Sequence, residues 1–262
     1  MENSSAPTSS KIASDDARLA DAAIAGVDAI GERVARLDWK RIERDLDARG
    51  YAVTGKILRA RECAGLIALY PDRERFRSRI VMERLRYGVG EYKYFARPMP
   101  EIVEQLRTEL YGRLVATANR WAERLGGRNS YPDSLSGFLK MCAAHGQSRP
   151  TPLILRYEAG GYNCLHQDLY GEVAFPIQFT CALSRRGRDF EGGELLLVEQ
   201  RPRAQSRGEA IALDEGEGII FANRYRPVAG TRGFHRVNMR HGVSTVTVGV
   251  RYAMGVIFHD AA

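Results

Sequence analysis

The chain has 262 residues, of which 44% are hydrophobic, and a formal net charge of +7 from 39 basic and 32 acidic side chains. This length and apolar content predict one large domain, or one domain with an appended subdomain, around a well-formed core. No apolar run approaches the ~18 residues of a membrane span, and residues 1–10 lack a charged segment leading into an apolar one. We therefore expect no membrane association and no secretory signal.

The four cysteines show no Cys-x-x-Cys spacing, which argues against a zinc site or a disulfide framework. We expect them to be small buried side chains in a reducing compartment, and the predicted location is the cytoplasm. They are Cys63, Cys142, Cys164 and Cys181.

The N-terminal part of the chain predicts mainly helices. Residues 1–37 are expected to form a weakly ordered or helical tail, with ordered structure starting at Asp38, a favourable N-cap. Pro100 should open a long helix that packs against the outside of a β core. The sequence does not show whether residues 71–97 form a lid. The other predicted elements are helices Trp39–Arg49 and Ala60–Tyr70 and strands Tyr51–Thr54, Ile80–Met82 and Tyr92–Phe95, and the long helix runs to about Leu125.

From Pro152 onward the pattern changes to short strands separated by turn residues, which is typical of a sandwich or jelly roll. The predicted fold class is therefore α+β, with a jelly-roll core at residues 151–262. Residues 38–150 would add helical support and extra strands to the same domain, which spans residues 38–262. The predicted strands are Leu153–Tyr157, Cys164–Asp168, Phe175–Leu183, Gly193–Glu199, Glu209–Leu213, Gly218–Phe221, Arg240–Val248 and Val250–Phe258.

One predicted strand carries His166 and Asp168, whose side chains would point to the same face because they are two residues apart. His241, from a later strand, would bring a second imidazole. Two imidazoles and one carboxylate form the facial triad that holds Fe(II) with open positions for further ligands. A His-x-Asp sequence alone is common in surface turns, so the prediction depends on what surrounds it.

The context favours His241 over His235 as the second imidazole. Only His241 opens a β-rich run and is followed ten residues later by an arginine, Arg251. His235 is expected to lie in a loop. A buried Arg251 could pair through two hydrogen bonds with a carboxylate.

Together these segments resemble the double-stranded β-helix of Fe(II)/2-oxoglutarate-dependent dioxygenases, in particular the prolyl-hydroxylase-like branch. In that branch, an Arg or Lys ten residues after the distal His binds the far carboxylate of 2-oxoglutarate. Phe190-Glu-Gly-Gly-Glu194 also resembles the branch, and Tyr157 lies where relatives have a tyrosine that helps to bind 2-oxoglutarate. A buried core tyrosine is the alternative for Tyr157. Ala253 replaces the serine of Arg-x-Ser relatives, so that pattern is not the template.

The resemblance implies an enzyme that hydroxylates a C–H bond and converts 2-oxoglutarate and O2 to succinate and CO2. Its metal would be Fe(II), held by His166, Asp168 and His241, with ascorbate as an optional reductant. Asp168 favours hydroxylation over halogenation, because halogenating relatives lack that carboxylate.

The sequence leaves the primary substrate open, as it does the oligomeric state. A peptide residue or small molecule is one interpretation, and oxidative demethylation of alkylated nucleic acid, as in AlkB-type enzymes, is another. A third is a cupin-like jelly roll that binds metal or sugar without oxygenase activity; Arg251 argues against it, since a cupin needs no carboxylate anchor. The candidate substrate contacts are Tyr162, Tyr170, Arg224 and Tyr225.

Positive charge is concentrated near the predicted site, which is relevant to the nucleic-acid interpretation. The stretch 218–259 contains no Asp or Glu. We expect an electropositive pocket mouth that attracts anions, either the cosubstrate or a nucleic acid. A general bias of the chain towards arginine is the alternative explanation. The arginines concerned are Arg224, Arg226, Arg232, Arg236, Arg240 and Arg251.

Overall fold

The computed structural model describes residues 30–127 and 130–262. Most of the predicted tail lies outside the described residues, but Ile30–Ala35 is a helix whose Ile30 and Val34 are buried. Ordered structure therefore begins before Asp38. This first helix is fixed by Arg33, which pairs with the buried Glu62 at 2.8 Å.

The helices form where local capping and periodicity predict them, with one addition. Asp38 accepts a hydrogen bond from the backbone of Arg41, and Gly50 ends that helix with a φ of +80°. The helix at Leu135–Ala144 was not predicted, since it contains Gly137, a poor helix former. The helices are α1 (Ile30–Ala35), α2 (Trp39–Arg49), α3 (Ala60–Ala68), α4 (Met82–Leu85), α5 (Glu101–Arg124) and α6 (Leu135–Ala144), with a 3₁₀ turn at Arg73–Arg75.

The strands occupy most of the chain after residue 150, and four precede it. They are β1 (Tyr51–Lys56), β2 (Phe76–Val81), β3 (Gly88–Val89), β4 (Glu91–Phe95), β5 (Leu153–Glu158), β6 (Tyr162–His166), β7 (Ile177–Ala182), β8 (Phe190–Gly192), β9 (Leu195–Gln200), β10 (Arg207–Ile211), β11 (Glu217–Ala222), β12 (Tyr225–Gly230), β13 (Gly233–Val243) and β14 (Val246–Val256).

The strands form two antiparallel sheets, as the α+β prediction with a double-stranded β-helix core requires. The larger sheet has the order β1-β11-β7-β14-β5-β4-β2, with β8 paired to β14. The smaller sheet has the order β10-β9-β13-β6-β3, with β12 paired to β13. Helix α5 supports this core from outside, and its apolar face carries the fully buried Leu106, Leu110 and Leu114. No helix in the described ranges is long and apolar enough to cross a membrane.

Three local predictions in the strand region are wrong. β6 ends at His166, so Asp168 lies beyond the strand and does not follow its alternation. β12 was missed, and β13 begins at Gly233, which places His235 in a strand and not in a loop. The predicted break between the last two strands was at Gly249. Gly249, at a φ of +77°, instead lies within β14, and the turn is at residues 244–245.

Residues 71–97 are divided between the sheet and the pocket. β2 and β4 pair with each other, and β4 pairs with β5, so both strands belong to the larger sheet. The segment 82–90 between them extends to the cavity, which Arg86 and Tyr87 line together with Tyr92 of β4.

A buried ion pair joins α5 to the C-terminal segment. Arg107 contacts Asp260 at 2.7 Å, and both side chains are at most 3% exposed. Arg107 also donates to the backbone carbonyls of Ile257 and Phe258. Asp260 also pairs with Arg97 at 2.7 Å. Loss of Arg107 would therefore leave the buried carboxylate with one cation and leave two buried carbonyls without their donor.

We therefore expect Arg107→Ala to lower the free energy of unfolding by about 3–5 kcal/mol. The matched control is Arg113→Ala on the exposed face of the same helix, which should change stability by less than about 0.5 kcal/mol. Urea denaturation followed by circular dichroism measures both. Equal stability of the two variants would contradict a stabilising role for the Arg107–Asp260 pair.

Candidate metal and carboxylate site

His166, Asp168 and His241 converge inside the β core. The Nε2 atom of His241 lies 3.1 Å from Oδ2 of Asp168, and Nε2 of His166 lies 3.6 Å from Oδ1. His241 and His166 are directly opposite each other on β13 and β6. One ligand atom from each of the three residues lies within 4.8 Å of the other two. The group is therefore close enough to share one metal ion, and its donor set is the one used for non-haem Fe(II).

Because β6 ends at His166, the backbone of Asp168 is hydrogen-bonded by a side chain and not by a neighbouring strand. Asn223 donates from Nδ2 to the carbonyl of Asp168 at 2.6 Å and accepts from its N–H at 2.9 Å. The Gln167 side chain donates to the carbonyl of Met239 at 2.8 Å. These bonds replace the missing strand ladder and fix where the carboxylate points.

The carboxylate of Asp168 also accepts a hydrogen bond from Tyr170, whose hydroxyl lies 2.7 Å from Oδ1. The Tyr170 ring packs edge-on against Tyr94, and Tyr94 packs edge-on against Tyr92. Burial, the Asp168 charge and the neighbouring Tyr94 raise the pKa of Tyr170 well above its ordinary value, so its hydroxyl stays a donor.

The protonation states of Asp168 and His241 suit a cation. Burial opposes ionisation of Asp168, but hydrogen bonds from His166 and His241 and their charge hold its pKa well below the ordinary value. Burial and the neighbouring His166 lower the pKa of His241. At neutral pH the group therefore offers one carboxylate and a neutral imidazole at His241. Burial lowers the pKa of His166, but the hydrogen bond to Asp168 and the charge of Asp168 outweigh it and raise the pKa, so metal binding would displace a proton from this ring.

Arg251 lies on β14 opposite Tyr157 on β5 and is 3% exposed. Its guanidinium carbon is 5.7 Å from the centre of the Tyr157 ring and 5.9 Å from that of Phe190. The Nη1 atom is buried and has no hydrogen-bond partner among the described residues. An unpaired buried guanidinium N–H is costly, so this atom suits an anionic ligand that completes its hydrogen bonding.

The glycine turn after β8 explains how Arg251 is held in place. Gly193 has a φ of +63°, and a Cβ there would lie 2.7 Å from Cδ of Arg251. A side chain would therefore push the arginine out of position. The adjacent Glu194 is bound by Arg186 at 2.6 Å and by Ser244, so its charge is already compensated.

A cavity of about 430 Å³ connects the three convergent residues with Arg251. Gln178, which is 3% exposed, lines it. Its Nε2 lies 3.1 Å from Nε2 of His241, and its Oε1 has no hydrogen-bond partner within the described part of the chain. The wall is otherwise largely apolar and aromatic. It includes Tyr87, Tyr92, Leu155, Leu165, Leu169 and Tyr170.

Comparison with known proteins identifies the family. Residues 90–261 match Oxygenase-NA, a family described as an oxygenase catalysing oxidative methylation of damaged DNA. The chain belongs to this family. It is also 48% identical over 182 residues to uncharacterized proteins Rv2227 and MT2286 of Mycobacterium tuberculosis, covering 68% of this chain and 78% of each relative.

Solved structures agree on the fold. A prolyl 4-hydroxylase of Phytophthora capsici superimposes with a TM-score of 0.53 at 17% identity, covering 88% of this chain and 65% of that one. A 2OG-Fe(II) oxygenase family protein of Burkholderia pseudomallei gives 0.50 at 15% identity, covering 87% and 93%. The protein is thus an oxygenase, as predicted, and the non-oxygenase, cupin-like alternative is wrong. The solved structures show that its fold is the one predicted.

The oxygenase brings together only some of the residues that its sequence indicated. Tyr170 lines the cavity, whereas Tyr157 is fully buried and its hydroxyl accepts from Asn163 at 3.3 Å. Tyr162 is 39% exposed on β6. Arg224 and Tyr225 line a neighbouring groove with Asn223 and Leu169.

Two expectations about the surroundings need correction. Of the arginines in the acid-free stretch 218–259, only Arg251 lines the cavity. Arg224 and Arg232 lie outside the strands, and strand alternation points Arg236 and Arg240 away from the face that carries His241. Arg226 is buried against Glu199. Cys164 is exposed and not buried, since it lies on β6 at the pocket mouth.

Sequence reasoning missed Asn223 and Gln178. Asn223 directly follows β11, and Gln178 lies on β7; both strands are buried and mostly apolar. A lone amide in a buried β run is a signal, because a buried amide needs partners and is seldom placed there for packing.

Proposed function

We propose that His166, Asp168 and His241 hold the Fe(II) of this oxygenase and that Arg251 binds the far carboxylate of 2-oxoglutarate. The observation that carries the proposal is the pairing of two features in one cavity: a convergent His-Asp-His group and a buried guanidinium with an unpartnered N–H. A dianionic cosubstrate that extends from the His-Asp-His group to Arg251 would pair with the buried guanidinium, so that no buried charge is left unpaired.

When bound, the iron activates O2, and the decarboxylation of 2-oxoglutarate to succinate and CO2 supplies the oxidising power for C–H hydroxylation. The protein's part is binding, orientation and exclusion of water. Asp168 contributes the negative charge that favours a divalent cation, and Tyr170 keeps one of its oxygens occupied. Arg251, fixed between two rings, orients the cosubstrate. Tyr157 would act through packing against Arg251. Ascorbate as a reductant remains a prediction.

Asn223 is proposed as the residue that positions Asp168. In Asn223→Ala, the backbone of Asp168 loses both of its side-chain partners, so we expect Fe(II) affinity to fall about 10–100-fold, as for other groups that orient metal ligands. Anaerobic Fe(II) titration measures this. The control is Asn119→Ala, whose amide bonds to Tyr131 away from the site. Wild-type iron affinity in Asn223→Ala would contradict the positioning role.

For the substrate we propose an alkylated base in single-stranded nucleic acid, as the family's description suggests. Hydroxylation of an N-methyl carbon gives an unstable hemiaminal that releases formaldehyde. The base would have to leave its stack to enter the cavity, whose wall offers Tyr87, Tyr92 and Tyr170. Hydroxylation of a peptide residue or small molecule is the second candidate. The exposed apolar side chains of Leu165 on the cavity wall and of Leu85 and Val89 in the segment 82–90 favour it.

One experiment tests the function and separates the substrates. The purified protein is loaded anaerobically with Fe(II) and 2-oxoglutarate, exposed to O2, and assayed for succinate with a panel of substrates. We expect succinate and formaldehyde in equal amounts with N-methylated single-stranded oligonucleotides and only background with unmodified ones. Succinate driven by proline-containing peptides without formaldehyde would favour the second candidate. No 2-oxoglutarate-dependent absorbance change on loading would contradict the assigned site.

We also propose that the protein works in a reducing compartment, with the cytoplasm as the specific prediction. All four cysteines are free. Burial raises the pKa of the Cys63 thiol to about 12, which keeps it protonated and unreactive.

A further inference from the structure

Four arginines in the segment 224–240 lack the carboxylate partners that many other arginines among the described residues have. Within residues 30–127 and 130–262, no Asp or Glu lies within ion-pair distance of these four, whereas Arg226 on the same hairpin pairs with Glu199. Unpaired guanidinium groups on one surface leave its positive charge uncompensated. The four are Arg224, Arg232, Arg236 and Arg240, all exposed.

Three of these arginines lie on or beside one face of the β12–β13 hairpin. Tyr225 is paired with Asn238, and Arg236 is paired with Pro227. Since side chains alternate along a strand, Tyr225, Arg236 and Asn238 share a face with Arg240. We call this surface the arginine face; it comprises Arg224, Tyr225, Arg236, Asn238 and Arg240.

Two of the guanidinium groups are held over a ring. The guanidinium carbon of Arg224 lies 4.5 Å from the centre of the Tyr225 ring, and that of Arg236 lies 4.7 Å from it. Cation–π contact orders the arginines without neutralising them. The register of the adjacent strand places Val198 and Gln200 beside this face, whereas Glu199 points to the opposite side with Arg226.

The arginine face is continuous with the loop that carries Asp168. Gln167 donates to Oδ1 of Asn238 at 2.7 Å. Asn223, which binds the backbone of Asp168, directly precedes Arg224. A polymer lying on the face would therefore pass beside the pocket.

We propose that the arginine face binds the phosphate backbone of a single-stranded nucleic acid whose modified base enters the cavity. This inference rests on the proposed function. Arginine is suited to phosphate because its planar fork donates two hydrogen bonds to one group. A partly exposed aromatic ring among cations, as Tyr225 is here, is typical of surfaces that bind single strands. An acidic polypeptide is the competing class of ligand.

The test compares two double variants by fluorescence anisotropy with a labelled single-stranded oligonucleotide, over a range of salt concentrations. Arg236→Gln/Arg240→Gln removes two charges from the face. Arg61→Gln/Arg113→Gln removes two exposed charges from α3 and α5. We expect the first variant to raise Kd about tenfold at low salt and to flatten the slope of log Kd against log salt by about 1.4, or about 0.7 for each lost phosphate contact. The second should keep the wild-type slope.

Equal slopes in the two double variants would overturn the proposal, because the effect would then be one of net charge alone. Displacement of the oligonucleotide by polyglutamate at equal charge concentration would overturn the nucleic-acid assignment. All titrations use the protein loaded anaerobically with Fe(II) and 2-oxoglutarate, and the absorbance of that complex is recorded first. If the wild-type protein fails to form the complex with Fe(II) and 2-oxoglutarate, the proposed function is contradicted. The oligonucleotide titrations test the arginine face separately.

Discussion

Asp168→Ala is expected to abolish Fe(II) binding at micromolar concentrations and, with it, all succinate formation. The substitution removes the single carboxylate of the His166–Asp168–His241 group and leaves two imidazoles without a negative charge. Removing a residue that hydrogen-bonds to a metal ligand already lowers metal affinity about 10–100-fold. Removing the ligand itself should therefore lower the Fe(II) affinity by more than ~100-fold. Anaerobic Fe(II) titration gives the affinity directly.

The control for this variant is Glu172→Ala, an exposed acid four residues further along the chain. It should bind iron as the wild type does. Thermal unfolding of both variants without metal shows whether Asp168→Ala still folds, which we expect because it removes a buried charge. A folded Asp168→Ala protein with wild-type iron affinity would show that the metal lies elsewhere.

Arg251→Ala is expected to weaken 2-oxoglutarate binding at least ~30-fold, which corresponds to about 2 kcal/mol. The reason is that the far carboxylate would enter a buried site that has lost the guanidinium of Arg251. Arg251→Lys should fall between the wild type and Arg251→Ala, because it keeps the charge but loses the planar fork. The measurement is an anaerobic titration of the Fe(II)-loaded protein with 2-oxoglutarate, followed by the charge-transfer absorbance of the complex.

Arg156→Ala is the matched control for Arg251. Arg156 lies on the neighbouring strand β5 and is occupied by Glu158 and Tyr252. It should leave the 2-oxoglutarate affinity within about twofold of the wild-type value, since surface pairs contribute little. If Arg251→Ala also kept wild-type affinity, the anchor would have to be another group.

The sequence was most informative where function restricts residue type. His166, Asp168, His241 and Arg251 were selected from their order and spacing, and the structure places all four on one cavity, while their roles stay predictions. Helices α2 and α5 could be predicted from capping and apolar periodicity. These features are local, or they are fixed by chemistry.

What escaped prediction depends on contacts between distant residues. Asp168 was placed on a strand, yet the strand ends at His166 and Asn223, 55 residues away, takes over the backbone bonds. The acid-free stretch was expected at the pocket mouth, but strand alternation sends Arg226 into the core and Arg236 to an outer face. Spacing along the chain does not contain the register that decides such positions.

The most direct measurement is a crystal structure of the protein with Mn(II) in place of Fe(II) and with 2-oxoglutarate, using anomalous scattering to locate the metal. We predict one anomalous peak bonded to His166, Asp168 and His241, with the far carboxylate of 2-oxoglutarate paired to Arg251. A peak away from these three side chains, or a cosubstrate that leaves Arg251 unpaired, would contradict the assigned site.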